Sequence, residues 1–184
     1  SFATKVDFTT GLQPTKLSLG DLDGDGKLDI VVANRSESSV SVFKNTSTKG
    51  SITTSSLATK VDFTTGSSPN SVAIGDLDND GKLDLVSSNT NNGGSLSILK
   101  NAGTAGIIDN KTFATKIDIA LTNAWIVALG DLDVDGKLDL IATSLLSNSL
   151  SIFKNNTKVG VIEANSFAGK VDFRVLAGQN VVSA

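Results

Sequence analysis

Three segments alternate polar and apolar residues with a period of two: Ser39-Val-Ser-Val-Phe43, Ser95-Leu-Ser-Ile-Leu99 and Ser149-Leu-Ser-Ile-Phe153. That alternation predicts strands with one wetter face. Residues 28–33, 83–86 and 138–142 form short apolar runs instead, which predict central strands covered on both faces. Turn-forming residues separate the two kinds of segment at 34–38, 89–94 and 144–148. No helical period of useful length is present. In the first unit the pattern gives four strands, at residues 15–20, 28–33, 39–45 and 57–63, joined by tight turns.

The units repeat. Gly20-Asp-Leu-Asp-Gly-Asp-Gly-Lys-Leu-Asp29 recurs at 75–84 and again at 130–139, a period of 55 residues both times. Phe2-Ala-Thr-Lys-Val-Asp-Phe8 keeps pace at 57–63, 113–119 and 167–173. The chain thus divides into repeats 1–55, 56–111 and 112–165 and the opening of a fourth at 166–184, within one unit of 184 residues. A period of this size marks arrays whose units cannot bury their own faces. Four short strands per unit predict an all-β fold, a β-propeller segment of about three four-stranded antiparallel blades. A parallel solenoid is the rival, but hairpin-like turns favour antiparallel meanders.

Composition narrows the chemistry. The chain has no Cys, His, Met or Tyr, which excludes disulfides, thiolate and imidazole metal sites and nucleophiles served by His. Its 16 Lys and Arg are spread singly, so no nucleic-acid partner is expected. No apolar stretch approaches the roughly 20 residues of a spanning helix, so no membrane insertion is expected. Ser1 opens the chain without the pattern of a signal peptide, so a processed or excised piece is expected.

What remains is carboxylate, with 17 Asp against 2 Glu (Glu37 and Glu163). Each repeated loop carries Asp at positions 1, 3, 5 and 9 and Gly at position 6: in the first copy Asp21, Asp23, Asp25 and Asp29, with Gly26. Alternate residues of a tight loop can aim at one centre. Four side chains, the position-7 carbonyl of Lys27 and one or two waters supply the oxygen shell that Ca²⁺ prefers. Without a cation these carboxylates repel one another. An EF-hand is excluded, because its position 12 is Glu, whereas here it is Val32, Ser87 or Ala142. Three divalent ions would turn the formal charge of −3 into +3.

The run Ser71-Val-Ala-Ile-Gly-Asp-Leu-Asp-Asn-Asp-Gly-Lys-Leu-Asp-Leu85, with Ser-Val-Ser-Val-Phe43 downstream of the first copy, resembles the FG-GAP or VCBS repeat. That family includes integrin alpha-chain propellers and many secreted bacterial propellers and lectins. The resemblance covers essentially the whole chain. It implies a four-stranded blade per repeat, with a calcium loop joining the innermost strand to the second. Its five calcium positions fall on Asp21, Asp23, Asp25, Lys27 (carbonyl) and Asp29; on Asp76, Asp78, Asp80, Lys82 and Asp84; and on Asp131, Asp133, Asp135, Lys137 and Asp139. Three Ca²⁺ sites are therefore expected. Such propellers usually have seven blades, and this chain departs from that. The strand phase places blades at 15–63, 70–119 and 125–173. It leaves 2–8 as the outermost strand of a preceding blade and 180–184 as the innermost strand of a following one.

Trp125 stands where the other repeats have Thr15 and Asn70, at the start of an innermost strand near the propeller face. It could stack on a sugar or peptide, or it could pack between blades. The repeated Phe2, Phe8, Phe63, Phe113, Phe167 and Phe173 are expected in the core. Lys5 with Asp7, Lys60 with Asp62, Lys116 with Asp118 and Lys170 with Asp172 read as a solvated charge ladder of little net value. Asn34, Asn45, Asn110 and Asn155 open glycosylation sequons, which matter only in a secreted, glycosylating setting.

The functional expectation is a non-enzymatic, extracellular or cell-surface module for adhesion or lectin-like binding of a protein or glycan. Its candidate contact loops are 34–38 and 89–94. The alternative is a structural subunit that self-assembles with further copies of itself into a ring or filament. An enzyme, such as a glycan hydrolase, is the weakest reading, because no carboxylate pair breaks the repeat.

Overall fold

The computed structural model describes residues 4–91 and 93–174. Among them are twelve strands and no helix. The strands form three four-stranded antiparallel sheets, each a meander in chain order. The first contains β1 (Pro14–Gly20), β2 (Asp29–Asn34), β3 (Ser39–Phe43) and β4 (Val61–Thr64). The second contains β5 (Pro69–Gly75), β6 (Asp84–Asn89), β7 (Ser95–Leu99) and β8 (Ile117–Ala120). The third contains β9 (Ala124–Gly130), β10 (Asp139–Ser144), β11 (Ser149–Asn155) and β12 (Phe167–Arg174). These are three propeller-like blades that do not close.

The innermost strands lie side by side, β1 against β5 and β5 against β9. Ser18 Oγ donates to the Val72 carbonyl at 2.7 Å, and Asn70 Nδ2 to the Trp125 carbonyl at 2.8 Å, fastening these strands where no sheet ladder joins them.

The apolar core lies between sheets. One cluster joins Val31, Val40 and Phe63 of the first blade to Val72, Leu85 and Phe113 of the second. The other joins Val86, Leu96 and Ile98 of the second blade to Val127, Leu140 and Phe153 of the third. A single-layer sheet has no interior, so its alternating apolar positions are buried only by a neighbour. At the first junction the Phe63 and Phe113 rings meet edge to face, centroids 4.9 Å apart. An innermost-strand glycine lets neighbouring blades approach: a Cβ on Gly75 would sit 2.7 Å from Leu138 Cδ1 and 2.8 Å from Leu129 Cδ1.

Several expectations change. The fourth strand of the first two blades is shorter than the repeat suggested: 57–63 shrinks to β4, with Leu57 only bridging Asn45, and 113–119 to β8, with Phe113 bridging Asn101. In both cases loop residues between the third and fourth strands fold back on themselves before pairing. The strand expected at 2–8 is not formed by residues 4–8, which pair with no strand among the described residues; residues 2 and 3 lie outside them. The strand expected at 180–184 also lies outside them. Phe63, Phe113 and Phe167 are buried as expected, but Phe173, on the last described strand, is 56% exposed.

Lys5 with Asp7 is a solvated pair as expected, 2.6 Å apart, but the other three rungs of the charge ladder are more than that. Lys60 pairs with Asp62, Lys116 with Asp118, and Lys170 with Asp172 at 2.8 Å. The other oxygen of each aspartate accepts a hydrogen bond from a buried serine on the adjacent strand: Ser41 to Asp62 at 2.5 Å, Ser97 to Asp118 at 2.6 Å and Ser151 to Asp172 at 2.6 Å. Ser97 Oγ also accepts from Asn89 Nδ2 at 2.9 Å and from the Gly66 backbone N–H at 2.9 Å. The polar half of the Ser-x-Ser alternation is thus a buried network that fixes register between third and fourth strands. Ser97→Ala leaves those donors and Asp118 without their partner and is expected to lower stability by about 1–3 kcal/mol, read from urea unfolding.

Candidate metal centre

Each aspartate loop joins the first strand of a blade to the second, spanning the gap between Gly20 and Asp29 in the first copy. The position-6 glycines Gly26, Gly81 and Gly136 all have φ of 85°, the left-handed conformation that glycine adopts without strain. Position 4 is left-handed as well, in Gly24 (71°), Asn79 (54°) and Val134 (61°). Valine is β-branched, so Val134 holds this conformation at a cost on the order of 1 kcal/mol.

The loop is built by carboxylates accepting backbone N–H bonds. At position 1, Asp21 Oδ1 and Oδ2 accept from Asp25 (3.0 Å) and Gly26 (2.8 Å), and Asp76 and Asp131 repeat both contacts. At position 9, Asp29 Oδ2 accepts from Leu22 N–H at 2.9 Å and its Oδ1 from Asn45 N–H at 2.8 Å. Asp84 and Asp139 do the same with Leu77 and Asn101 and with Leu132 and Asn155. Position 9 thereby ties the loop to the chain that follows the third strand. At position 5, Asp25, Asp80 and Asp135 accept from the N–H two residues on, that of Lys27, Lys82 and Lys137.

Positions 1, 3 and 9 converge. Asp21, Asp23 and Asp29 bring ligand oxygens within 4.8 Å of one another, as do Asp76, Asp78 and Asp84, and Asp131, Asp133 and Asp139. These three groups could hold metal ions. Position 5 stands apart from them and is bound to a lysine. Lys44 pairs with Asp23 and, at 3.0 Å, with Asp25; Lys100 pairs with Asp78 and, at 2.7 Å, with Asp80; Lys154 pairs with Asp133 and, at 3.0 Å, with Asp135. The sequence reading missed these lysines. The signal was there, since each directly follows the Ser-x-Ser-x-Phe or Ser-x-Ser-x-Leu segment in all three repeats.

Charge and burial set the electrostatics. The Lys44 hydrogen bond holds the Asp25 carboxyl below the usual range, and Lys154 does the same for Asp135. Burial pushes the Asp84 carboxyl up to about 7, against the two N–H bonds that favour its charged form. Burial likewise raises Asp29. Asp78 Oδ1 is buried with no hydrogen-bond partner among the described residues. A buried oxygen of this kind, facing two further carboxylates, is satisfied by a cation rather than by another acceptor. The donor set is all oxygen and acidic, which suits a hard divalent ion.

The loops are also welded to the following blade. Asn101 Nδ2 donates to the Leu22 carbonyl at 2.8 Å, and Gly106 N–H to the Asp23 carbonyl at 2.7 Å. One repeat on, Asn155 Nδ2 donates to the Leu77 carbonyl at 2.8 Å, and Gly160 N–H to the Asp78 carbonyl at 3.0 Å. A cavity of about 190 Å³ opens at the first weld, walled by Asp21, Asp23, Gly81, Lys82, Asn101 and Thr104.

The pattern of the FG-GAP-like repeat matches residues 21–87 and 76–142, each match running from one aspartate loop into the next. The chain belongs to the FG-GAP-like repeat family. Repeats of this family are generally non-enzymatic and typically extracellular. No curated protein matches the chain. Among the described residues no helix is long and apolar enough to cross a membrane.

Trp125 lies at the start of β9, partly exposed, beside a groove of about 330 Å³ that it lines with Thr15, Lys16, Asn70, Ser71 and Ile126. The Arg35 guanidinium stands 5.7 Å from the centre of its ring. The 34–38 turn therefore reaches the same face as Trp125, while Asn34 itself is fully buried.

The raised Asp84 has a consequence for pH. The folded chain keeps this proton between about pH 4 and 7 while the unfolded chain loses it, so without metal the stability falls as pH rises, by up to about 1.4 kcal/mol per pH unit. Urea unfolding in EDTA at pH 5 and pH 7.5 is expected to show that fall, and Asp84→Asn to reduce it, leaving the smaller share of the raised Asp29. A metal ion prefers the charged form, so any metal affinity at this site would rise over the same interval.

Proposed function

We propose that this chain is a non-enzymatic, calcium-stabilised propeller module that works outside the cell by binding a protein or glycan ligand on its innermost-strand face. The three aspartate groups support calcium: all-oxygen ligands, a buried unpartnered oxygen at Asp78, and a nine-residue spacing repeated three times. On this reading Asp21, Asp23 and Asp29 hold the first ion, with Asp25 and the Lys27 carbonyl completing the shell once Lys44 gives up its contacts. The same positions serve in the other two repeats. Bound calcium neutralises the facing carboxylates and stiffens the strand connection. The residues around it position the loop and leave no reactive group free for turnover.

The observation that carries ligand binding is Trp125. It is the one Trp of the chain, it breaks the repeat, and it lies beside a groove with amide and hydroxyl side chains. A flat aromatic flanked by hydrogen-bonding groups suits a sugar ring or an extended peptide.

Calcium is expected to raise the melting temperature by many degrees over an EDTA-treated sample, and millimolar Mg²⁺ to raise it far less. An unchanged melt on calcium addition overturns the metal assignment. A glycan array and a panel of extracellular proteins test the face: Trp125→Ala is expected to reduce binding at least tenfold with the melt unchanged. Binding that survives this substitution places the ligand elsewhere.

A further inference from the structure

The ammonium groups that lie against the first two aspartate loops come from outside them. Lys44 and Lys100 directly follow β3 and β7 and reach back to positions 3 and 5 of the loop in their own blade. Lys100 Nζ donates to Asp78 Oδ2 and, at 2.7 Å, to Asp80 Oδ2. Lys44 Nζ does the same with Asp23 and, at 3.0 Å, with Asp25. It also donates to the Gly106 carbonyl of the second blade at 2.8 Å. An ammonium is a compact single charge with three donors on a flexible stem, which suits it to a place among carboxylates.

In the second loop the two oxygens of Asp78 are used unequally. The residue is 1% exposed, its Oδ2 is held by Lys100, and its Oδ1 has no hydrogen-bond partner among the described residues. One oxygen of Asp78 lies within 4.8 Å of oxygens from Asp76 and Asp84, and the unpartnered Oδ1 is the one free to serve an ion there. Asp80 stands outside that group. Its Oδ1 accepts from the Lys82 N–H and its Oδ2 from Lys100, so both of its oxygens are engaged elsewhere. The lysine neutralises one carboxylate and leaves the remaining ones facing each other, whereas a divalent ion neutralises two.

We propose that Lys100, and Lys44 in the first loop, is a tethered counter-ion that competes with calcium: it holds the loop together when no ion is bound, keeps Asp80 or Asp25 apart from the metal group, and so sets the calcium concentration at which the loop fills. The inference rests on the calcium reading above and adds what determines the affinity. Two cations that share Asp78 repel each other across one carboxylate in surroundings that exclude most water, so each weakens the hold of the other. The coupling is reciprocal. Calcium loosens the lysine by the same factor by which the lysine weakens calcium. In the first loop the exchange reaches the neighbouring blade, because a Lys44 that leaves Asp25 also gives up the Gly106 carbonyl.

Lysine acylation of the parent chain, read residue by residue by mass spectrometry, tests the exchange. Lys60 and Lys116 are the controls, since they pair with aspartates outside the loops and their side chains are 24% and 25% exposed against 21% for Lys44 and Lys100. Calcium is expected to raise the labelling of Lys44 and Lys100 severalfold over EDTA, while the controls stay level or fall as the fold tightens. Lys100→Met keeps the stem and removes the charge. Calorimetry with calcium is expected to show one site tightened about tenfold, with a lower melting temperature in EDTA, and Lys60→Met to leave the affinity unchanged. If Lys100→Met does not fold without calcium, the labelling of the parent decides. A parent that binds calcium with Lys44 and Lys100 no more reactive than before, or a Lys100→Met chain whose calcium affinity is unchanged or lower, overturns the competition and leaves the calcium reading standing. A parent that takes up no calcium overturns both.

Discussion

Every large apolar cluster in the described structure is shared by two blades. Each sheet is one layer thick and alternates sides along every strand, so it can shed its apolar surface only onto a neighbour. That constraint explains why no blade has a core of its own, and why Val31, Val40 and Phe63 belong to the same cluster as Val72, Leu85 and Phe113. It also explains the glycine that closes each innermost strand. A larger residue at Gly20 or Gly75 would hold the next blade away and open the only core available.

The aspartate loops lie at the same junctions, so a cation held there would be coupled to blade packing. Asp29 and Asp84 are buried because the strands on either side of them are buried, and each oxygen receives a backbone N–H in compensation. The backbone bonds define the loop before any ion arrives, but they leave facing carboxylates. Lys44 and Lys100 answer part of that charge from the third strand. A cation that gathers positions 1, 3 and 9 would therefore act on the same segment that Asn101 and Asn155 hold from the following blade. An ion at the loop would stabilise the same element that packing at the junction holds from the other side.

Most of the architecture was legible in the sequence because a repeat states its period directly, and two-residue alternation states its strands. The aspartate spacing was equally plain, and the structure brings positions 1, 3 and 9 together in all three copies. What the sequence did not show depends on contacts between distant residues. Ser41, Ser97 and Ser151 read as the wet side of a strand, yet they are fully buried and bonded to aspartates 21 residues on. Lys44 went unremarked in the sequence, yet it lies against two loop carboxylates. Strand ends were overestimated in β4 and β8, because the repeat extends further than the pairing does.

The same sequence motif thus occupies different environments in the three blades. The loops share their internal hydrogen bonds almost atom for atom, so local sequence sets their shape. Their burial differs with what lies beyond them: Leu22 and Leu77 are covered, and Leu132 is not. Val134 extends the contrast, since its strained left-handed backbone and 88% exposure occupy a position filled by Gly24 and Asn79 in the covered loops. Loop geometry in this family member is therefore a property of the nonapeptide, whereas the dielectric around its carboxylates is set by the adjoining blade. Identical carboxylate sets in the three repeats would consequently present unequal fields to a cation, strongest where the next blade excludes water and weakest where Leu132 and Asp133 are exposed.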